Sequence, residues 1–193
     1  MRRRRARRLW WIIASGAGVV AAASVVVAVT ASERGTAAGG TSAAGGAAPA
    51  VGSVAPGGSF TTGKTETIAS LRGHKALLWF VATWCPSCQA GTRAMAGDLA
   101  RLRAAGIQVI EVEDYADLGQ AGPAMTSFGP QLAGAAYYDP SWTFGTASPA
   151  LTRAYNPRGY LDIYFLLGPS GQIAYANSAP ASTMSQPLAH AAA

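Results

Sequence analysis

The chain has 193 residues, half of them hydrophobic and 12% charged, with two cysteines and a formal net charge of +6. Six of the 15 basic residues (Arg2, Arg3, Arg4, Arg5, Arg7 and Arg8) lie in the first eight positions, which leaves 9 basic against 9 acidic side chains over the rest. One domain of ordinary size fits this length; nucleic-acid binding, which needs basic groups spread over a folded surface, and a multiply stapled secreted scaffold, which needs more cysteines, are both excluded.

Residues 1–8 form a basic flank. Leu9 to Ala31 follow, 23 residues without a charge, enough helix to cross the ~30 Å hydrocarbon core of a bilayer. The arginines predict a cytoplasmic start under the positive-inside rule, with Trp10 and Trp11 at headgroup level. Residues 9–31 are therefore read as a single-pass membrane anchor, with the remainder on the extracytoplasmic side of the cell membrane. Val29-Thr30-Ala31 also has the small-residue form of a signal-peptidase site, and cleavage there would release a secreted protein, but the apolar run is longer than a signal peptide uses. Over residues 32–59, 24 of 28 positions are Gly, Ala, Ser, Thr or Pro, a composition with too little apolar bulk to order itself. This reads as a flexible linker, leaving 60–193 as the folded domain.

Ala76 to Ala82 is a continuous apolar run of strand length, as in a strand covered on both faces. A helix is predicted next, with Pro86 at its first position and Gly106 past its end. Cys88, Thr92, Met95, Leu99 and Leu102 form one buried stripe on it. Ile107 to Glu113 reads as a second strand, Gly119 to Gly134 as a helix broken by Pro123 and Pro130, and Ala135 to Asp139 as a short strand. Ser148 to Tyr155 is a further helical piece. Ile163 to Leu167 and Gln172 to Asn177, joined by Gly168-Pro169-Ser170-Gly171, read as a hairpin, and Ser182 to Ala191 as a closing helix. The alternation argues for an α/β fold, a mixed sheet with helices on both faces.

The chemistry centres on Trp84-Cys85-Pro86-Ser87-Cys88, between the apolar strand and the helix. With Pro86 at the first helical position, Cys85 takes the N-cap place, where free backbone N–H groups and the helix dipole favour a thiolate. Cys85 is the predicted nucleophile, its sulfur expected at the surface. Cys88, three residues on and inside the stripe, is the predicted resolving thiol, so the pair forms a redox disulfide. An inert staple is the plain alternative, and a weak one, because so short a ring contributes little loop entropy. Zinc lacks ligands, since His74 and His190 have no finger-like spacing. A copper-binding assembly factor using both thiolates is the rival from another class. Neither a bound metal nor a cofactor is called for.

Here the chain resembles the membrane-anchored, extracytoplasmic thioredoxin-like proteins of the TlpA and ResA type, over about residues 57 to 180. Ser70 to Cys88 is similar to that family's "L-x-G-K … F-W-A-T-W-C-P-P-C", and Phe165 to Gly171 to its "F-L-I-D-x-x-G". The resemblance implies a thioredoxin-like fold and a thiol-disulfide oxidoreductase that acts on protein disulfides or dithiols. It also implies a membrane thiol-electron transporter as a partner, and cytochrome c maturation as a setting; a monomer is expected. Three positions depart from the pattern. Leu161 or Asp162 stands where the family has a cis-proline opposite the disulfide. Trp79 stands where ordinary thioredoxins bury an acid, and Gly91 where many TlpA-like proteins carry a glutamate.

Glu111 interrupts its strand and is the first candidate to replace the missing acid, since burial there would raise its pKa towards neutrality; Glu113 is the alternative on the same strand. Asp162 is a second candidate acid facing the sulfurs. Trp84 is read as a contact platform for partners, and Trp142, Phe144, Tyr137 and Tyr138 as packing.

Overall fold

The computed structural model describes residues 46–192. The basic flank at 1–8, the anchor at 9–31 and the linker as far as residue 45 lie outside the described residues. Among the described residues no helix is long and apolar enough to cross a membrane.

Seven strands form one sheet in the order β2-β1-β5-β4-β3-β6-β7. They are β1 (Ser59–Thr61), β2 (Thr65–Thr67), β3 (Lys75–Val81), β4 (Ile107–Glu113), β5 (Trp142–Ala147), β6 (Ile163–Leu167) and β7 (Ile173–Ser178). The inner strands β3, β4 and β5 are parallel, while β6 joins β3, β7 joins β6 and β1 joins β5 antiparallel. The helices are α1 (Pro86–Ala104), α2 (Met125–Ala133), α3 (Pro149–Tyr155), α4 (Pro180–Thr183) and α5 (Ser185–Ala192).

Period-two alternation divides the apolar core into two layers. Leu77, Trp79, Val81, Val109, Tyr164 and Leu166 pack with the stripe of α1 and with Met125 and Phe128 of α2. Ala76, Leu78, Phe80, Ile110, Val112, Phe165 and Leu167 face the other way, onto Leu151 and Tyr155 of α3. Burial on both faces explains why β3 and β4 read as near-continuous apolar runs. Register fixes one row across the helix-α1 face, with Trp79 opposite Glu111 on one side and Tyr164 on the other.

Three expectations are corrected. Ala135 to Asp139 is not a strand: Gly134–Tyr138 turns as a 3-10 helix, and the strand beside β4 is β5. Asp139 Oδ1 accepts from the Ser141 N–H and hydroxyl, 2.9 and 2.6 Å away, and this turn around Pro140 delays the strand. The closing helix is two helices, α4 and α5; Pro187 is tolerated only in a first turn, so α5 restarts at Ser185. The folded unit also begins before residue 60. The Gly52 N–H donates to Ile173 O at 2.8 Å, the Ile173 N–H to Ser53 O at 2.9 Å and the Ala55 N–H to Gly171 O at 2.9 Å, while the Tyr155 hydroxyl donates to Pro56 O at 2.9 Å. Main-chain hydrogen bonds are indifferent to side-chain bulk, so composition did not reveal this pairing.

Candidate functional site

Parallel β3 ends at Val81, between β4 and β6, and its carboxyl end delivers the chain into α1. Cys85 is the N-cap residue, with φ −80° and ψ 124°, and Pro86 opens the helix. The Cys85 N–H donates to Ala82 O at 2.9 Å and the Gln89 N–H to Cys85 O at 3.0 Å. Both cysteines are free thiols. Cys85 Sγ lies 3.1 Å from Ser87 Oγ, and Cys88 Sγ accepts from the Ala82 N–H at 3.4 Å.

Cys85 is only 2% exposed, which corrects the expectation of a surface sulfur. Pro86 and Ser87 beside it are exposed, and Cys88 is fully buried. Burial pushes the Cys85 thiol up, but the Ser87 hydroxyl, the Cys88 backbone and thiol and the Ser87 backbone outweigh it, so its pKa is lowered. The deeper Cys88 thiol is pushed far up by burial, against the Ala82 N–H and with the help of the Asp162 charge.

Trp84 is held rather than free to swing. Its indole N–H donates to Asp117 O at 2.7 Å, and the Asp117 carboxylate accepts from the Thr83 N–H and hydroxyl, each at 2.6 Å. Ala116, Asp117 and Leu118 all have φ between 52° and 56°, a left-handed run in non-glycine residues that the clamp must overdetermine. A Cβ on Gly122 would meet Thr83 Oγ1 at 2.1 Å and Asp117 Oδ2 at 2.3 Å. Sequence reasoning missed Thr83, Asp117 and Gly122, and no local signal marks them.

Glu111 is fully buried. Its Oε1 lies 2.7 Å from Thr92 Oγ1, which in turn lies 3.1 Å from Cys88 O. One hydroxyl has one hydrogen. A protonated Glu111 satisfies both contacts, donating to Thr92 while Thr92 donates to Cys88 O. Burial pushes this acid up to about 8, against Thr92 and the Trp142 indole; neither Glu111 Oε2 nor Trp142 Nε1 closes a hydrogen bond, so Trp142 acts as a neighbouring dipole. Glu113 is half-buried and raised by burial and by Asp117.

Asp162 precedes β6 with φ 64°. It is 3% exposed, and its Oδ1 accepts from the Trp79 indole N–H at 2.9 Å. Oδ2 closes no hydrogen bond. The Trp79 ring fills the space beside Gly91, where a Cβ would come within 2.7 Å of Trp79 Cζ2.

The histidines stand apart from this group. His190 stacks on Tyr175 with centroids 4.4 Å apart, His74 is exposed, and among the described residues no group of three or more His, Cys, Asp or Glu side chains is placed to hold a metal ion. Trp142 stacks on Phe144 at 4.7 Å and Tyr137 packs on Phe144 at 4.9 Å, as expected, whereas Tyr138 is largely exposed and meets only the edge of the group, 5.1 Å from Tyr137.

No protein-family model matches the chain, and no curated protein does. Solved structures do. A thiol:disulfide interchange protein of the thioredoxin family from Chlorobium tepidum is 24% identical with a TM-score of 0.54, covering 76% of this chain and all of its own (100%). A secreted Mycobacterium tuberculosis disulfide oxidoreductase homologous to E. coli DsbE is 21% identical with a TM-score of 0.51, covering 69% and 93%. Arabidopsis thaliana ScoI with copper bound is 14% identical with a TM-score of 0.53, covering 72% and 98%.

The fold is thioredoxin-like. In this thioredoxin-like frame the three departures from the family pattern fall together: Trp79 and Asp162 are hydrogen-bonded, and Gly91 makes the room for the indole. Of the two candidate acids, Asp162 is the one whose charge acts on Cys88; Glu111 reaches that residue only through Thr92 and the Cys88 carbonyl.

Proposed function

We propose that the protein is an extracytoplasmic thiol-disulfide oxidoreductase, anchored to the cell membrane by residues 9–31, that exchanges electrons with protein disulfides or dithiols through Cys85 and Cys88. The observation that carries this reading is the inequality of the two thiols, one lowered at a helix N-cap and one raised in the core three residues later.

In the reducing direction the Cys85 thiolate attacks one sulfur of a partner disulfide. A Cys85–partner bond forms, and the other partner sulfur leaves with the electron pair and takes a proton from solvent. Cys88, deprotonated, then attacks Cys85 Sγ. The Cys85–Cys88 bond forms, the partner's second sulfur leaves and is protonated, and two electrons have passed to the partner. A membrane thiol-electron transporter would restore the dithiol. Trp84, fixed beside the nucleophile by Asp117, supplies a rigid surface against which a partner chain can pack.

The test is trapping. Cys88→Ser is expected to accumulate partner adducts on Cys85, whereas Cys85→Ser captures none; mass spectrometry of alkylated extracts reads both. Equal trapping by the two variants, or none by either, overturns the assigned roles. A reduced protein that binds Cu(I) tightly and leaves protein disulfides untouched would instead favour the copper-binding assembly factor.

A further inference from the structure

We propose that Asp162 is the carboxyl that exchanges a proton with Cys88 when the second thiol resolves the mixed disulfide, and that Trp79 is the positioning residue that holds it there. This rests on the thiol-disulfide reading above and names the group that reading lacks, because neither position at which the related patterns carry an acid holds one here.

Three independent observations carry it. Asp162 is a buried carboxyl with one oxygen clamped by the Trp79 indole at 2.9 Å and the other without a hydrogen bond. Such a free oxygen is uncommon in a buried carboxyl; it is shared here with Glu111 Oε2 and Asp114 Oδ1, so position relative to the sulfurs is what distinguishes Asp162. Strand β6 pairs antiparallel with β3 as far as Ile163 opposite Phe80, which puts Asp162, one residue earlier, at the end of β3 from which the Ala82 N–H donates to Cys88 Sγ at 3.4 Å. The space that admits the clamp exists because Gly91, one helical turn after Cys88, has no side chain: a Cβ would stand 2.7 Å from Trp79 Cζ2 and 3.1 Å from Pro180 Cγ.

The other buried acids are bonded to other groups, and both oxygens of Asp117 are taken by Thr83. Glu111 is bonded to Thr92. Asp114 accepts from Asn156 Nδ2 at 2.8 Å, in a network that anchors Tyr160.

The proton balance is simple. The Cys88 thiol gives its proton to the Asp162 carboxylate, directly or through one water. The Cys88 thiolate attacks Cys85 Sγ, the Cys85–partner bond breaks, and the electron pair leaves on the partner sulfur, which takes a proton from solvent. Asp162 returns its proton to solvent afterwards. In the oxidising direction the Asp162 carboxylic acid protonates Cys88 as it leaves the disulfide.

The titratable groups that the Asp162 charge raises are Cys88 on α1, Glu111 on β4 and Tyr164 on β6. Burial raises Asp162 to about 6, against Trp79 and the polar neighbour Ser87. Asp162 is therefore ionised and able to accept above that pH, and its negative charge in turn raises Cys88, a coupling that is reciprocal.

The experiment follows single-turnover resolution in the full-length chain. Reduced protein is mixed with oxidised glutathione between pH 4.5 and 9, quenched with acid, and the lifetime of the Cys85–glutathione adduct is read by mass spectrometry. The wild-type resolution rate is expected to fall below an inflection at about 6. Asp162→Asn keeps a residue type that tolerates left-handed backbone; it should lose the inflection and slow resolution at pH 7 by about 100-fold. Trp79→Phe removes the N–H that lowers Asp162, so the inflection should move to higher pH. That shift is not expected of packing damage, and it decides the matter if Asp162→Asn does not fold.

An inflection retained in Asp162→Asn, or unmoved in Trp79→Phe, overturns the proposal while leaving the thiol-disulfide reading standing. If the wild-type protein forms no adduct on Cys85 at all, the thiol-disulfide reading fails and the inference fails with it.

Discussion

A methyl group added at Gly91 would meet Trp79 at 2.7 and 2.9 Å and Pro180 at 3.1 Å, in a region where Trp79 is fully buried and its indole nitrogen is already bonded. The ring has no open direction in which to retreat. Gly91→Ala is expected to destabilise the protein by about 1–3 kcal/mol in urea unfolding, and Trp79→Phe in the same chain to recover part of that loss. A Gly91→Ala protein as stable as wild type would remove the coupling between these positions. Glu111 has a separate consequence. Its folded-state pKa, about 8, lies above the ordinary value of 4.5, so the folded state binds the proton more tightly than the unfolded chain. Its contribution to stability is complete below the unfolded value and is lost as pH rises through about 8. At pH 7 the lost stability amounts to roughly 3 kcal/mol. Glu111→Gln keeps the shape without the charge, and should make the fall in stability between pH 5 and 8 shallower, leaving the part due to Asp162 and Asp114, which burial raises to about 6 and about 7; an unchanged slope would show that Glu111 is not a buried acid responsible.

Among the elements, the segment before β1 is where composition misled. Its small residues look like tether, yet residues 52–56 hydrogen-bond to the β6–β7 hairpin and to Tyr155 of α3. A chain beginning at Gly46 should therefore be more stable than one beginning at Ser59 by about 5 kcal/mol, taking about 1 kcal/mol for each of the five bonds lost, the Ile68 N–H to Gly58 O bond included. Equal denaturation midpoints would return this segment to the linker. Helix α1 and strands β3 and β4 were legible because each is a long periodic or apolar run with its own boundary signals, Pro86 and Gly106 among them. Strand β5 was not. Its pattern is half-buried, and only pairing with β4 and β1 selects Trp142 to Ala147 over the neighbouring Ala-Ala-Tyr-Tyr segment.

At the scale of the molecule, the sheet places the dithiol at the carboxyl end of a central parallel strand, the position where open α/β sheets expose their reactive ends. Exposed Tyr115, Tyr160 and Leu161 belong to the loops that follow β4 and precede β6, the two strands beside β3. The proposed topology has a direct check. Full-length protein should sediment with membranes, and protease added to intact spheroplasts should remove the thioredoxin-like domain. Full protection from external protease would contradict an extracytoplasmic domain, and a soluble chain beginning at Ser32 would show that the leader is cleaved.

By itself the sequence determined the cysteine pair and its setting, a cysteine at an N-cap ahead of Pro86 and a second cysteine on the buried stripe of α1. Those properties depend on residues within a turn or two of one another, and the periodicities of helix and strand carry them. Tertiary structure alone decided which groups surround the sulfurs. Asp162 meets Trp79 across 83 positions, Asp117 clamps Thr83 across 34 and Glu111 meets Thr92 across 19. Burial of Cys85 belongs to the same class, because exposure at a helix start is set by what the rest of the chain lays over it. Which group each carboxyl is bonded to, and which carboxyl keeps its proton, depends on desolvation and hydrogen-bond partners brought together only by folding, and no local pattern of residues encodes them.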